Sequence, residues 1–323
     1  MMLSASILTG CSIGDTEFVL ELDQVVPVDY VFSINGEECS REEIKVYLCN
    51  YQNIYGQEYG VNLWEHDFGE LEGIDSLEKY VRDITLYELG TVMCMKQLAD
   101  KQGVTLTEDE LSKVDVITTE YYESLSKEEL AYMELDRKEL QSVYEKYALA
   151  QKLYVTLTQG VNEEVSDDEA RVIRIQQIYV KNLADAEIVR AKLAGGEAFD
   201  AVASSYNEAD IIETTLKRGV YPTEVDTVAF NLDNNEQSDM IITGEGYYFI
   251  CCINKFEPEL TEENKSSIIS QRRKEQFEDV FKEFVDTSSF LINEKLWESI
   301  TIDTSGSITT KSFFETYSKH MAK

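Results

Sequence analysis

A change of residue pattern near position 171 constrains the fold more than any other feature of the sequence. Residues 173–180, IRIQQIYV, alternate apolar and polar side chains as a β-strand does. Two helical segments, a short helix and a pair of apolar strands follow before Pro258, after which a long amphipathic helical pattern resumes. Strands and helices mixed in this way, between two helical parts, predict an α+β fold.

The first half of the chain is predicted to be largely helical. Capping boxes, in which Ser or Thr is followed three residues later by Glu, mark helix starts. They are Ser40 with Glu43, Thr107 with Glu110, Ser126 with Glu129, and Ser166 with Glu169. Long helices are predicted over Leu77–Gln102, ended by Gly103, and over residues 137–157. A strand over residues 31–34 precedes them and meets a turn at Asn35-Gly36.

The helical pattern after Pro258 carries an apolar face that needs a partner, and the N-terminal helices supply one. The simplest assembly packs the first and last parts of the chain together, with the α+β segment inserted between them. The predicted organisation is a signal peptide (1–10), a tether (11–28), a helical domain of two segments (29–165 and 259–302), an inserted domain (166–258) and a flexible tail (303–323).

Charge excludes one class of partner. The sequence has 29 Lys and Arg against 62 Asp and Glu, a formal net charge of -33 at pH 7. Clustered Lys and Arg are what bind phosphates, so we expect no nucleic-acid partner. An anionic bilayer repels an acidic protein surface, so membrane attachment needs a specific anchor.

The start of the chain contains a candidate anchor. The stretch MMLSASILTGCSIGD is a short apolar run that leads through Leu8-Thr9-Gly10 to Cys11 and then turns polar. It resembles a bacterial lipoprotein signal, in which Cys11 is acylated and becomes the first mature residue. Only ten residues precede Cys11 and none is Lys or Arg, so a plain buried or free cysteine is the alternative. No other segment has the length of a membrane helix.

Neither the other cysteines nor the histidines have the spacing of a metal site. The cysteines are Cys39, Cys49, Cys94, Cys251 and Cys252. We expect them to be small buried residues, with a Cys39–Cys49 disulfide as the alternative. The two histidines, His66 and His320, lie outside the inserted segment. No metal and no cofactor is predicted.

Short motifs follow one another in a recognisable order. The stretch INGEECSREEIKVYL places a strand, an Asn-Gly turn and a helix near the start. The inserted segment then contains Gln177-Ile178-Tyr179-Val180, Gly196 to Phe199 with Ala203, Arg218-Gly219, Val228-Ala229-Phe230, and Gly246-Tyr247-Tyr248-Phe249. Over residues 29–302 this order resembles the parvulin-type prolyl isomerases and foldases, the PrsA-like lipoproteins and SurA-like chaperones. The resemblance implies a helical chaperone domain with an inserted parvulin-like α+β domain.

The resemblance also implies where a cleft should lie. The family cleft has two histidines, an Asp or Cys between them, and apolar contacts to a proline. In this sequence Gln177 stands at the first histidine and Tyr248 at the second, while Asp210 lies near the acidic position. The implied substrate-binding cleft consists of Gln177, Tyr179, Tyr221, Val225, Phe230 and Tyr248. No catalytic residue is assigned.

Replacement of both histidines makes isomerase activity doubtful. The barrier to X-Pro isomerisation is about 18–20 kcal/mol, and enzymes lower it by stabilising the twisted amide without a nucleophile or cofactor. We expect weak or absent activity on a domain that still binds peptide. Gln177 and Tyr248 are expected to hydrogen-bond each other across neighbouring strands, and Gln176 to face the opposite side of the sheet.

The resulting hypothesis is a foldase or chaperone, lipid-anchored at Cys11 on the extracytoplasmic face of a bacterial cell membrane. Its partners would be unfolded or proline-containing exported polypeptides. Two alternatives stay open: an active peptidyl-prolyl cis-trans isomerase with an altered cleft, and a surface binding lipoprotein that uses the fold as a scaffold. A homodimer stays open as an alternative to a monomer.

Overall fold

The computed structural model describes residues 30–59 and 76–321, with only the backbone for residues 57–59. The chain forms two compact units. The first, called the helical unit, takes the chain up to Gly160 and from Lys274 onward. The second, called the module, takes Val161–Arg273. Both ends of the described chain therefore build one unit, and the predicted α+β fold with an insertion is confirmed.

The helices and strands follow one another along the chain in three parts. The first part contains β1 (Tyr30–Ile34), β2 (Glu37–Ser40), α1 (Arg41–Tyr59), α2 (Leu77–Gln102), α3 (Glu108–Ser124), α4 (Lys127–Met133) and α5 (Arg137–Thr158). The middle part contains α6 (Asp167–Ala170), β3 (Val172–Val180), α7 (Leu183–Ala194), α8 (Phe199–Tyr206), β4 (Glu213–Lys217), α9 (Thr223–Ala229), β5 (Ile241–Ile242) and β6 (Tyr247–Asn254). The last part contains α10 (Pro258–Asp286), β7 (Phe290–Ile292), α11 (Glu294–Glu298) and α12 (Phe313–Met321).

A small antiparallel sheet in the helical unit joins the two ends of the described chain. Its strand order is β2-β1-β7. The predicted turn at Asn35 and Gly36 links β1 to β2, and both residues have a positive φ, which the Asn-Gly pair tolerates. On the other edge of β1, Phe32 faces Ile292. The Asn35 N–H also donates to the Ser289 carbonyl at 2.9 Å. The first and last segments therefore pack together, as expected.

Helix starts follow the predicted capping signals, but two of the four predicted boxes are only half formed. Two of the predicted boxes are complete, those at Thr107 and Ser126. At Ser40 and Ser166 only the hydroxyl half forms. The reason at Ser40 is that the Glu43 carboxylate pairs with Lys146 at 2.8 Å instead of turning back to the cap. An ion pair between helices replaces the reciprocal bond there.

The prediction of a flexible tail is wrong for the described residues 303–321. Phe313 begins α12, and none of its surface is exposed. Its ring stacks on Tyr144 with 4.1 Å between centroids and 9° between planes. Ser and Thr dominate this stretch and suggested disorder, but Ile302, Ile308 and Phe313 bury enough apolar surface to order it. Residues 301–321 are called the C-terminal segment below.

Glu129 on α4 holds the extended part of the C-terminal segment. Its Oε1 accepts hydrogen bonds from the backbone N–H groups of Thr309 and Thr310, both at 2.8 Å. Burial by itself raises the pKa of this carboxyl, but hydrogen bonds from the N–H groups of Ser126, Thr309 and Thr310 outweigh it and lower the pKa. The group is therefore ionised at neutral pH, and its charge strengthens these bonds.

The module is built on a four-stranded antiparallel sheet of order β4-β3-β6-β5. One face packs against α7 and α8 through Ala186, Val189, Phe199, Val202 and Ala203. The other face packs against α9 through Val225 and Ala229. The predicted hairpin is confirmed as β5 and β6. The sequence analysis did not identify β4, ETTLK, because a short strand with one buried residue, Leu216, carries little apolar periodicity.

A carboxyl group is buried in the helical unit. Glu88 on α2 is 6% exposed, and burial raises its pKa to about 8. The phenols of Tyr47, Tyr51 and Tyr147 feel its charge. Because its ionised form is poorly solvated, the folded state holds this proton to a higher pH than the unfolded chain does.

Replacement of Glu88 by Gln is expected to stabilise the protein in a pH-dependent way. Well below pH 4.5, the ordinary pKa, the effect should be small, because the carboxyl is protonated in both states. As the pH rises towards 8, the wild type should lose about 1.4 kcal/mol per pH unit relative to Glu88→Gln. Urea unfolding at several pH values measures the difference. Asp83→Asn, an exposed substitution on the same helix, is the control, and an equal pH slope for both variants contradicts the expectation.

Candidate functional site

Strand β3 presents its odd-numbered and even-numbered residues to opposite faces of the module sheet. Ile173, Ile175 and Tyr179 belong to the α9 face, and Ile178 and Val180 belong to the α7 and α8 face. Gln177 lies in the odd series and is buried, at 3% exposure. Gln176 lies in the even series, is partly exposed, and its side-chain amide lies 3.4 Å from the Glu213 carboxylate. The prediction that the two glutamines face opposite sides is confirmed.

The side-chain amide of Gln177 is bonded at both of its ends. The Tyr221 hydroxyl donates to its Oε1 at 2.9 Å, and its Nε2 donates to the Ile211 carbonyl at 3.0 Å. The prediction of a hydrogen bond between Gln177 and Tyr248 is wrong. In the antiparallel register Gln177 lies opposite Ile250, and Tyr248 lies opposite Tyr179. The amide therefore ties β3 to the loop that precedes α9 and to the loop before β4.

Three tyrosines on the same face form a group that we call the tyrosine cluster: Tyr179, Tyr221 and Tyr248. The ring centroids of Tyr179 and Tyr248 are 4.7 Å apart, and those of Tyr221 and Tyr248 are 6.1 Å apart. The Tyr179 hydroxyl donates to the Glu245 carbonyl at 2.7 Å. Gly246 next to it admits no side chain, because a Cβ would lie 2.7 Å from the Tyr179 ring. Ring contacts, a hydrogen bond and the close approach of Gly246 thus hold the cluster in place.

Burial raises the pKa of two phenols of the cluster, those of Tyr221 and Tyr248. It is the largest cause that raises the pKa of Tyr248, followed by the charge of Tyr179. It also raises the pKa of Tyr221, against the lowering effect of the bond to Gln177. Phenols whose pKa exceeds 10 remain hydrogen-bond donors at neutral pH. Because the Tyr179 and Tyr221 hydroxyls already donate within the protein, the cluster offers mainly ring faces and hydroxyl oxygens that can accept hydrogen bonds.

Two residues of the implied cleft lie in the packed interior. Val225 has no exposed surface and Phe230 is 4% exposed. The guanidinium of Arg218 lies 4.3 Å from the Phe230 ring centroid and that of Arg171 lies 5.3 Å from it. These cation–π contacts cover the ring. Sequence analysis missed the role of Arg218, although the Arg-Gly motif already contained it.

Asp210, the residue near the family's acidic position, is exposed on the loop before β4. The contact to Gln177 comes from the main chain of the next residue, Ile211. Asn207, which sequence analysis missed, anchors this loop. Its Oδ1 accepts from the Tyr179 backbone N–H at 2.9 Å, and its Nδ2 donates to the Ala209 carbonyl at 2.9 Å. An Asn that ends a helix just before a strand-like segment is the sequence signal by which this anchoring role could have been found.

The remaining candidate residues do not join this site. His320 pairs with Glu120 at 2.7 Å in the helical unit, and His66 and Cys11 lie outside the described residues. All five cysteines that the structure describes are buried and free, so the Cys39–Cys49 disulfide is absent. Within the described ranges, no three Asp, Glu, His or Cys side chains form a metal-binding group, and no helix is long and apolar enough to cross a membrane.

The chain was compared with known proteins. No protein-family model matches it, and no curated protein matches it. Among solved structures, PrsA from Bacillus cereus, a peptidylprolyl isomerase, is 21% identical with a TM-score of 0.41, over 76% of this chain and 90% of that one. PrsA from Bacillus anthracis is 18% identical with a TM-score of 0.35, over 68% and 99%.

A SurA-like chaperone of Campylobacter jejuni is 13% identical with a TM-score of 0.29, over 82% of this chain and 99% of that one. These structural neighbours are PrsA and SurA-like proteins, the group that the order of sequence motifs resembles.

Removal of the Tyr221 hydroxyl is expected to destabilise the module. Tyr221→Phe leaves the buried Oε1 of Gln177 without its donor, at a cost of about 1–3 kcal/mol. Chemical denaturation, followed by hydrogen exchange at β3, measures the loss. Tyr206→Phe is the matched control, because the structure records no hydrogen bond for the Tyr206 hydroxyl within the described chain. Equal stability of the two variants contradicts a structural role for the Gln177–Tyr221 bond.

Proposed function

We propose that the protein is a foldase or chaperone that binds extended segments of unfolded exported polypeptides at the tyrosine cluster. The observation that supports this most is exposed apolar surface beside the cluster. Val220, which precedes Tyr221, is 67% exposed, and Ile211, whose carbonyl accepts from Gln177, is 53% exposed. Exposed apolar surface beside aromatic rings suits transient binding, since burial contributes about 25 cal/mol per Å².

The same site is proposed to have weak or absent prolyl isomerase activity. Catalysis requires groups that stabilise the twisted amide better than the planar one. Gln177, at the expected histidine position, is 3% exposed and both ends of its amide are already bonded within the protein, so it is poorly placed to bond a substrate. Tyr248, at the second expected histidine position, is 9% exposed and its ring packs against those of Tyr179 and Tyr221, which leaves it little freedom to change its bonding during rotation.

Substitution of the exposed apolar residues tests the binding proposal. The double variant Ile211→Ser, Val220→Ser is expected to weaken client binding about thirtyfold, because burial of each apolar side chain contributes about 1 kcal/mol to binding. Light scattering of a diluted, chemically unfolded secreted protein measures how well the full chain suppresses aggregation. The control, Leu183→Ser with Ile188→Ser, removes exposed apolar residues from α7 on the opposite face.

Three outcomes contradict the proposal. Failure of the wild-type protein to suppress aggregation contradicts the chaperone function. Catalysed cis-trans exchange in a proline peptide favours the isomerase alternative. Recovery of one folded ligand, with no unfolded clients, favours the surface binding alternative.

The proposal places the protein on the extracytoplasmic face of the membrane, anchored by a lipid on Cys11. Cys11→Ser is expected to move the protein from the membrane fraction to the soluble fraction and to abolish incorporation of a labelled fatty acid, because the thiol is the acylation site. The matched control is Cys251→Ser, which changes a buried thiol of the module and should leave attachment intact. Fatty-acid labelling that persists in Cys11→Ser rejects the anchor.

A further inference from the structure

The module sheet has one long open edge, strand β4. The order β4-β3-β6-β5 places β4 and β5 at the two edges of the sheet. β5 has only two residues, and the chain before it continues the pairing with β6 through a bridge between Gln237 and Cys251. β4 has five residues, Glu213–Lys217, and within the described chain it pairs with β3 alone. β4 is therefore the edge at which the module sheet can accept a further strand.

The hydrogen bonds between β3 and this edge use its even-numbered residues. The Gln177 N–H donates to the Ile212 carbonyl at 2.8 Å, and the register continues this pairing at Thr214 and Leu216. In an antiparallel pair, residues that exchange hydrogen bonds alternate with residues that do not. The main-chain groups of the odd-numbered residues of β4 therefore point away from β3.

Three residues of β4 thus present their main-chain groups outward: Glu213, Thr215 and Lys217. All three residues are exposed, and no main-chain bond to their N–H groups is made within the described chain. The Thr214 hydroxyl donates to the Thr215 carbonyl at 3.3 Å, a long bond that a better-aligned donor can replace. These groups form a row of donors and acceptors that matches the main chain of an extended segment.

Proteins usually protect an open edge, and β4 lacks most of the usual protection. A proline, a β-bulge or a covering element prevents pairing. Residues 213–217 contain no proline, and the β3–β4 register runs without the shift that β3–β6 shows between Arg174 and Ile175. Glu213 and Lys217 place charges at the two ends of the strand, which limits aggregation and leaves transient pairing possible.

The open edge is continuous with the exposed apolar surface assigned to clients. Ile211 precedes β4 and Val220 follows it, at 53% and 67% exposure. An extended segment that lies along β4 can bond its main chain to the strand and contact an apolar side chain beyond each end. The edge and the two side chains together therefore form one surface for an extended segment.

We propose that β4 binds client segments by β-strand addition, so that the client main chain extends the module sheet. This inference rests on the proposed function and names what the site recognises, an extended segment with free main-chain N–H groups. Main-chain bonds supply affinity without selecting a sequence, and Ile211 and Val220 favour apolar side chains near the ends. A client proline at a bonding position prevents the addition, because it has no N–H to donate.

Charge and size favour a client over a second copy of this chain as the occupant. The formal net charge of -33 at pH 7 makes two copies repel each other. A neutral or basic segment is not repelled, and complementary charge speeds its encounter with the protein. Stable dimers bury about 1,200 Å² or more, which is more than an edge of five residues offers by itself. A short edge suits a segment that binds and is released.

Thr215→Pro tests the inference on the full chain. The Thr215 N–H points away from β3, so proline removes a donor from the edge and breaks no bond of the module sheet. A labelled peptide of alternating valine and lysine, about ten residues long, should bind the wild type. Thr215→Pro should weaken this binding about fivefold or more, whereas Thr215→Ala, the matched control, keeps the N–H and should bind like the wild type. Equal binding by all three proteins overturns the inference.

Methylation of the peptide nitrogens is a second test that leaves the protein unchanged. A peptide methylated at every main-chain nitrogen keeps its side chains and its charge but has no main-chain N–H to donate. It should lose binding, whereas methylation of every second nitrogen leaves one bonding edge and should preserve it. Equal binding of the fully methylated and unmethylated peptides overturns the inference, since side chains and charge alone then hold the peptide.

Hydrogen exchange detects the pairing residue by residue. The bound peptide should slow exchange of the Glu213, Thr215 and Lys217 amides about tenfold or more, and should change little at Thr214 and Leu216, which already bond β3. Binding without this alternation overturns the inference. Protection of the same three amides by raised protein concentration, without peptide, assigns the edge to a second copy and also overturns it.

The proposed function and β-strand addition fail separately. Aggregation suppression that is equal in the wild type and Thr215→Pro leaves the proposed function standing and removes β-strand addition. Peptide binding with the alternating protection, but without aggregation suppression, supports β-strand addition and contradicts the proposed function.

Discussion

The helical unit depends on the return of the far end of the chain to its beginning. Strand β1 lies between β2 and β7, so its second edge is satisfied by residues more than 250 positions away, such as Ile292 opposite Phe32. The Phe313 ring then closes the aromatic core that Tyr144 and its neighbours leave between α1, α3 and α5. Neither end has enough apolar surface of its own, and the unit is complete only when both are present.

The module depends on a different contact, the amide of Gln177. A buried polar side chain is costly unless its hydrogen bonds are made, and both ends of this amide are bonded. Through those bonds it holds Tyr221 beside Tyr248 and fixes the loop that carries Ile211. The residue that stands where the resemblance expects a histidine is thus bonded within the protein and holds Tyr221 and the Ile211 loop in place.

Local patterns predicted much of the fold. The α2 and α5 helices, the Asn-Gly turn, the two-segment helical unit and the opposite faces of Gln176 and Gln177 all follow from periodicity and turn chemistry. Prediction failed where the signal was weak or misleading. β4 has one buried residue in five positions, and the Ser- and Thr-rich C-terminal segment is ordered by apolar residues spaced widely along it.

The sequence by itself determined the kind of each element and the face of each strand, because the 3.6-residue and two-residue periods are properties of neighbouring residues. It also set the charge and the absence of histidine from the module. Only the tertiary structure decided that Gln177 bonds Tyr221 rather than Tyr248, and that Phe313 is buried against Tyr144. Those partners are 44 and 169 residues apart, and no local period connects residues at such separations.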